Sequence, residues 1–133
     1  MAEAILKSKQ LQNVHVRSGG IYAAQGAPMS TNAQLVLNEQ GIPHQHYASQ
    51  VTVEDLQWAD LIITMTNQHK KTLVQMMPTA IEKTFTLKEF TSSSIQDVVD
   101  PYGGSIEMYR ATFQELQQHI EQMMTYLQKE WQE

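Results

Sequence analysis

Five consecutive residues, Asp100-Pro101-Tyr102-Gly103-Gly104, put a carboxylic acid on a short, stiff loop. As local sequence they form an ordinary turn, with Asp first, Pro next to fix φ, and glycines to close it. The same residue types suit a general acid, because a carboxyl group held on a rigid loop can protonate a leaving group. The apolar approach Val98-Val99 is expected to desolvate Asp100 in part and raise its pKa. Asp97 and Asp100 make a carboxylate pair of low specificity. His44-Gln45-His46 brings two imidazoles together without a third ligand, so no metal site is expected there, and no cofactor elsewhere. The metalloprotease pattern H-E-x-x-H, the nucleophile elbow G-x-S-x-G and glycine-rich phosphate motifs are all missing from the sequence.

An acid of this kind normally works with a nucleophile, and the sequence holds no cysteine to provide a thiolate. Disulfides, cysteine-bound zinc and iron–sulfur clusters are excluded on the same ground. Nine Lys and Arg stand against fourteen Asp and Glu, for a net charge of −5. That balance gives no general attraction to nucleic acid or to an anionic membrane. The one basic cluster, His69-Lys70-Lys71, is too short for a phosphate-backbone interface. Apolar runs such as Leu61-Ile62-Ile63 are far too short to cross a bilayer, and Met1-Ala2-Glu3-Ala4 does not open a signal sequence. A soluble, cytoplasmic protein is the expectation.

The elements that would position the acid can be read from periodicity. With 133 residues and 41% apolar composition, the chain suits one compact domain. Residues 2–11 read as a short helix. Val14-His15-Val16-Arg17-Ser18 alternates with period two and reads as a strand ending at Gly19-Gly20. Ser30 or Thr31 caps a helix with Ala33, Val36 and Leu37 on one face, stopping at Gly41. Thr52-Val53-Glu54-Asp55 has capping-box spacing and opens a short helix carrying Leu56. Leu61-Ile62-Ile63-Thr64-Met65 reads as a strand buried on both faces. Thr66 or Asn67 starts a helix that ends before Pro78, and Thr84-Phe85-Thr86-Leu87 is a third strand. Ser105 caps the longest helix, whose stripe of Ile106, Tyr109, Phe113, Leu116, Ile120, Met123 and Leu127 is amphipathic. Strands alternating with helices predict an α/β fold, a parallel sheet covered on both sides.

The order of the segments adds more than any one of them. Met1-Ala2-Glu3-Ala4 opens a helix, followed by Val16-Arg17-Ser18-Gly19-Gly20, Gly41-Ile42-Pro43 with His46, and Ala59-Asp60-Leu61-Ile62-Ile63-Thr64-Met65-Thr66. Then come His69-Lys70, Phe85-Thr86-Leu87-Lys88-Glu89-Phe90 and Asp100-Pro101-Tyr102-Gly103-Gly104-Ser105. Together these resemble the low-molecular-weight protein-tyrosine phosphatase family across essentially the whole chain. The single aromatic before Gly103-Gly104 is most similar to the bacterial protein-arginine phosphatase branch. Arsenate reductases share the fold but need cysteines.

The resemblance implies a three-layer α/β/α domain over residues 1–133. It also implies that the first, central strand and its C-x-x-x-x-x-R-S/T-P loop are absent, since in the family they run directly into the helix that here begins at Met1. That loop's Cys attacks phosphorus, its backbone amides and Arg hold the phosphoryl oxygens, and an Asp protonates the leaving group. Carried over, the resemblance makes Asp100 the general acid and Tyr102 the aromatic wall of the substrate pocket. Ser18 and His46 become hydrogen-bonding supports of the phosphate loop; alone, Ser18 only ends a strand and His46 only fills a core. The implied partner is a phosphorylated protein, carrying phosphotyrosine or phosphoarginine, and this chain is expected to be inactive. The alternative is a non-catalytic, phosphatase-like binding or regulatory module. Loss of a central strand would leave two open strand edges, so three outcomes are expected. The flanking strands close up and pair, another chain fills the gap by self-association, or stability is low.

Overall fold

A computed structural model describes residues 1–21, 26, 28–45, 49–92 and 96–131. The elements follow in the order α1 (Ala2–Ser8), α2 (Thr31–Glu39), α3 (Val53–Trp58), β1 (Ile62–Thr64) and α4 (Asn67–Met76). A 3-10 turn at Pro78–Lys83, β2 (Thr84–Thr86), α5 (Leu87–Ser92) and α6 (Ile106–Trp131) complete the chain.

β1 and β2 pair in parallel, with Ile62 opposite Thr84, Ile63 opposite Phe85 and Thr64 opposite Thr86. Side chains alternate across the pleat of β1 and reach two separate apolar clusters. Ile63, with Leu61 and Met65, packs on the cluster built from α1, α2 and α6, where Ile5, Val36, Leu37, Phe113 and Ile120 are buried. Ile62 belongs to the other cluster, with Leu56 of α3, Leu73 of α4 and Ala80. The sheet therefore has helices on both faces, as the alternation of strands and helices predicts. Its threonines face inward without leaving polar atoms unpaired. The Thr84 hydroxyl donates to the Ala80 carbonyl at 2.7 Å, and that of Thr86 accepts from the Glu89 N–H at 3.1 Å.

Helix α6 buries Tyr109, Phe113, Leu116, Ile120, Met123 and Leu127, the stripe read from its spacing. Capping also agrees. Ser30, Thr52 and Thr66 accept N–H groups of α2, α3 and α4, and the Thr52–Asp55 box is reciprocal. The Ser105 hydroxyl accepts the Met108 N–H at 3.3 Å.

Three expectations need correction. The first helix ends at Ser8, before Leu11, because Gln10 and Asn13 take positive φ values of 52° and 59° that no helix continues. Leu87 opens α5 rather than ending a strand, since Thr86 and Glu89 cap each other's N–H groups at 3.1 and 3.3 Å. Val14–Arg17 keeps the burial alternation of a strand, with Val14 and Val16 half-buried and His15 and Arg17 exposed. Yet among the described residues no backbone hydrogen bond joins it to another segment. Of the three outcomes expected, the direct pairing of Val14–Arg17 with Leu61–Met65 is not found among the described residues.

Glu89 also accepts from Lys70 at 2.7 Å, tying α5 to α4. The Lys70 hydrogen bond, and then the Thr86 N–H, hold the Glu89 carboxyl below its ordinary value of 4.5. A carboxyl lowered in the folded state stabilises above its unfolded pKa, and the contribution fades as pH falls through the lower folded value. Glu89→Gln is therefore expected to cost about 0.5–1 kcal/mol at pH 7 in urea denaturation. The difference from wild type should shrink steadily below pH 4.5. An equal difference at pH 7 and pH 3 would show that the charge contributes nothing.

Candidate functional site

Where β1 ends, the chain turns into α4, and the acidic loop is fastened to that junction. The Val98 N–H donates to the Met65 carbonyl at 2.8 Å, adding one backbone link beyond the strand. The Asp97 carboxylate accepts the Asn67 backbone N–H at 2.8 Å and approaches the Asn67 side-chain amide at 3.4 Å. Asp97 thus satisfies one of the open N–H groups of the first turn of α4 and favours its positive end. The low-specificity pair of carboxylates resolves into one residue that fastens the loop and one that the loop presents.

Asp100 is exposed and folds its own turn. Its carboxylate accepts the Tyr102 N–H at 3.0 Å, and the Gly104 N–H donates to the Pro101 carbonyl at 2.7 Å. Gly103 has φ +77°, a value that favours glycine. At Gly104 a Cβ would lie 2.8 Å from the Pro101 carbonyl oxygen, so that turn cannot close around a larger residue. Asn32 at the start of α2 clamps the far end, donating to the Gly104 carbonyl at 3.2 Å. The loop is therefore held at both ends while its middle faces outward. Val98 is buried, but Val99 is 73% exposed, so the pair does not enclose Asp100 and the expected partial desolvation is not found.

Tyr102 is 84% exposed and stands over a cleft of about 420 Å³ shared with Ser30, Thr31, Asn32 and Tyr109. The start of α1 lies in the same neighbourhood. Burial lowers the α-amino group of Met1 from its ordinary value of 8.0, while the carboxylates of Glu3 and Asp100 act in the opposite sense. Both carboxylates are therefore within electrostatic reach of the helix start. Ser18 is drawn to this point as well, its hydroxyl donating to the Glu3 carboxylate, which also pairs with Lys7 at 2.7 Å.

Of the four residues singled out from sequence, Asp100 and Tyr102 share one loop, and Ser18 reaches the start of α1. His46 lies outside the described residues. His44 contacts the Asn38 side-chain oxygen at 3.0 Å, and among the described residues no three His, Asp or Glu side chains gather as a metal site would require. Sequence reasoning missed Asn32 and Asn67, the two clamps. A signal existed for Asn67, an Asn at a helix start, but nothing local pointed to its partner thirty residues on.

The family model "Low molecular weight phosphotyrosine protein phosphatase" matches residues 1–133. A protein-arginine-phosphatase of Geobacillus stearothermophilus is 45% identical over 130 residues, spanning 98% of this chain and 88% of that protein. One from Bacillus subtilis is 38% identical over 133 residues, spanning 98% and 89% respectively. The solved arginine phosphatase of Geobacillus stearothermophilus superposes with a TM-score of 0.94 at 44% identity, covering 97% of this chain and 84% of that one.

If Asp97 fastens the loop, Asp97→Ala should free it. Amide exchange at Val98, Val99 and Tyr102–Gly104 is expected to rise roughly tenfold, the loss of one charge-assisted hydrogen bond. Hydrogen exchange followed by NMR measures this directly. Unchanged exchange there would mean that the Val98–Met65 link and Asn32 hold the loop without Asp97.

Proposed function

The chain belongs to the low molecular weight phosphotyrosine protein phosphatase family, and from that premise we propose that residues 1–133 carry the proton donor and substrate wall of a protein phosphatase acting on phosphoarginine. Asp100 is the general acid, and Tyr102 flanks the phosphorylated side chain. Ser18 and His46 support the loop that holds the phosphoryl group. The nucleophile comes from outside these residues, since no cysteine lies within them. The observation that carries the reading is the fastening of the Asp100 loop at the end of β1, beside the start of α1. There it presents an exposed carboxyl group on a backbone held at both ends.

The chemistry follows from the leaving group. A thiolate supplied to the site attacks phosphorus, forming an S–P bond as the P–N bond of phosphoarginine breaks. The departing guanidine nitrogen is strongly basic, since arginine stays protonated far above neutral pH. It cannot leave as an anion near neutral pH, so a proton must reach it as the bond breaks, and Asp100 provides it. Water then cleaves the S–P bond, with the Asp100 carboxylate taking the proton. An aryl phosphate with a good leaving group depends much less on that acid. Phosphoarginine is preferred over phosphotyrosine here on two grounds: one aromatic followed by Gly103-Gly104, and relatives named as protein-arginine-phosphatases.

As it stands, the 133-residue chain should not turn over phosphoarginine or para-nitrophenyl phosphate. Fusing a strand and C-x-x-x-x-x-R-S-P ahead of Met1 should restore both activities. In that fusion Asp100→Asn should lower phosphoarginine turnover by roughly 10²–10⁴ and para-nitrophenyl phosphate turnover by less. Steady-state kinetics on purified protein decide the matter. Turnover by the chain alone, or an unchanged phosphoarginine rate in Asp100→Asn, would contradict the assignment.

A further inference from the structure

Helix α2 starts without a carboxylate. Glu3, Asp55, Glu89 and Glu107 stand in the first turns of α1, α3, α5 and α6, and α4 receives Asp97 from the acidic loop. The first turn of α2 holds no acid. Its Ser30 cap accepts the Ala33 N–H at 3.3 Å, and the Gln34 N–H closes on the Ser30 carbonyl at 3.0 Å. The N–H groups of Thr31 and Asn32 come too early for an intrahelical partner, and among the described residues neither has another. Both residues line the cleft of about 420 Å³ over which Tyr102 stands.

Tyr109 of α6 lines the same cleft, although it is only 5% exposed and belongs to the main apolar cluster. Among the described residues its hydroxyl has no hydrogen-bond partner, yet no side-chain oxygen there is both fully enclosed and unpaired. The small exposure left to Tyr109 must therefore include its hydroxyl, which reaches the surface where the residue lines the cleft. A buried phenol ordinarily finds a partner, so this one is left for a group that enters from outside. Ser30 and Thr31 add their hydroxyls from the helix start. No Lys or Arg lines the cleft, and Arg110, next to Tyr109, is held by Glu39 at 2.6 and 3.0 Å. Attraction must come from directed N–H and O–H groups and the positive end of α2, a combination that favours an oxyanion. Donors arriving from both α2 and α6 suit a tetrahedral group better than a planar carboxylate.

We propose that this cleft is a phosphoryl-binding subsite: the Thr31 and Asn32 amides and the Ser30, Thr31 and Tyr109 hydroxyls hold the oxygens of a phosphate group, free or as a monoester. The free ion is what the proposed reaction releases, and a monoester would belong to a protein bound at the same loop. The donors are the same for both. The subsite stands whether or not Asp100 acts as an acid, because none of its donors takes part in that reaction.

Inorganic phosphate, titrated into the isotope-labelled 133-residue chain at constant pH and ionic strength, should give saturable NMR shifts at the Thr31 and Asn32 amides and the Tyr109 ring. Tyr109→Phe removes an oxygen that no group among the described residues uses, so the fold should be unchanged while the dissociation constant rises at least about fivefold. Thr31→Pro removes an N–H and a hydroxyl at the first helical position, where proline is favoured. Ser30, at φ −57° and ψ 151°, already has the extended backbone that proline requires before it. This variant should weaken phosphate binding about tenfold with the amide shifts of the rest of α2 preserved. Methyl phosphate separates the two sources: binding as tight as that of phosphate supports a monoester occupant, and its failure to bind supports the free ion. Absence of saturable shifts at Thr31 and Asn32, equal affinity for acetate, or phosphate binding unmoved by both variants would overturn the proposal.

Discussion

Three parallel residue pairs, Ile62 with Thr84, Ile63 with Phe85 and Thr64 with Thr86, fix the positions of nearly everything else in the fold. β1 separates the two apolar clusters, and its C-terminal end fixes where α4 starts and where the acidic loop is bound. Through Val98 and Asp97 that loop is anchored to backbone rather than to flexible side chains alone, which gives Asp100 a defined position despite its exposure. A short ladder can do this because each of its residues is packed from one face or the other. The same economy leaves it vulnerable, since one edge of β1 meets no partner strand among the described residues.

Stability and chemistry make opposite demands on the Asp100 loop. Its ends are fastened by Asn67 and Asn32, and its turn is closed by two glycines that a side chain would disrupt. Its middle exposes Val99, Asp100 and Tyr102. Exposed apolar and aromatic groups on a well-anchored loop suit a surface that closes over a substrate, where burial on binding does what burial in the free chain does not. Under the role proposed for Asp100, the desolvation that a general acid benefits from would come on substrate binding, and Val99, 73% exposed, is free to be covered then.

Much of this was legible in the sequence, for reasons that differ by element. Helix α6 was readable because its stripe runs for six turns, too long for chance. The caps Ser30, Thr52, Thr66 and Ser105 were readable because capping is local. The family and the Asp100 loop were readable from segment order. What failed was short or non-local. The 3-10 turn and α5 sit directly before and after β2, and Thr86 serves as strand residue and cap at once. Val98-Val99 looks alike in sequence, yet one side chain enters the core and the other points to water, a distinction that only the Met65–Val98 link makes. Val14–Arg17 shows the right alternation, but a strand is defined by its partner, and alternation alone does not say which segment pairs with it; only the family resemblance pointed to an open edge there.

The open edge of β1 is the claim on which the placement of the site at its C-terminal end depends. Hydrogen exchange of the Ile62, Ile63 and Thr64 amides in the 133-residue chain examines it residue by residue. Amides that donate to β2 should be protected, and the intervening amide or amides, facing away from β2, should exchange at least tenfold faster, an alternation of period two along one strand. Uniform protection of all three would contradict the account, because it would mean that both edges of β1 are already paired.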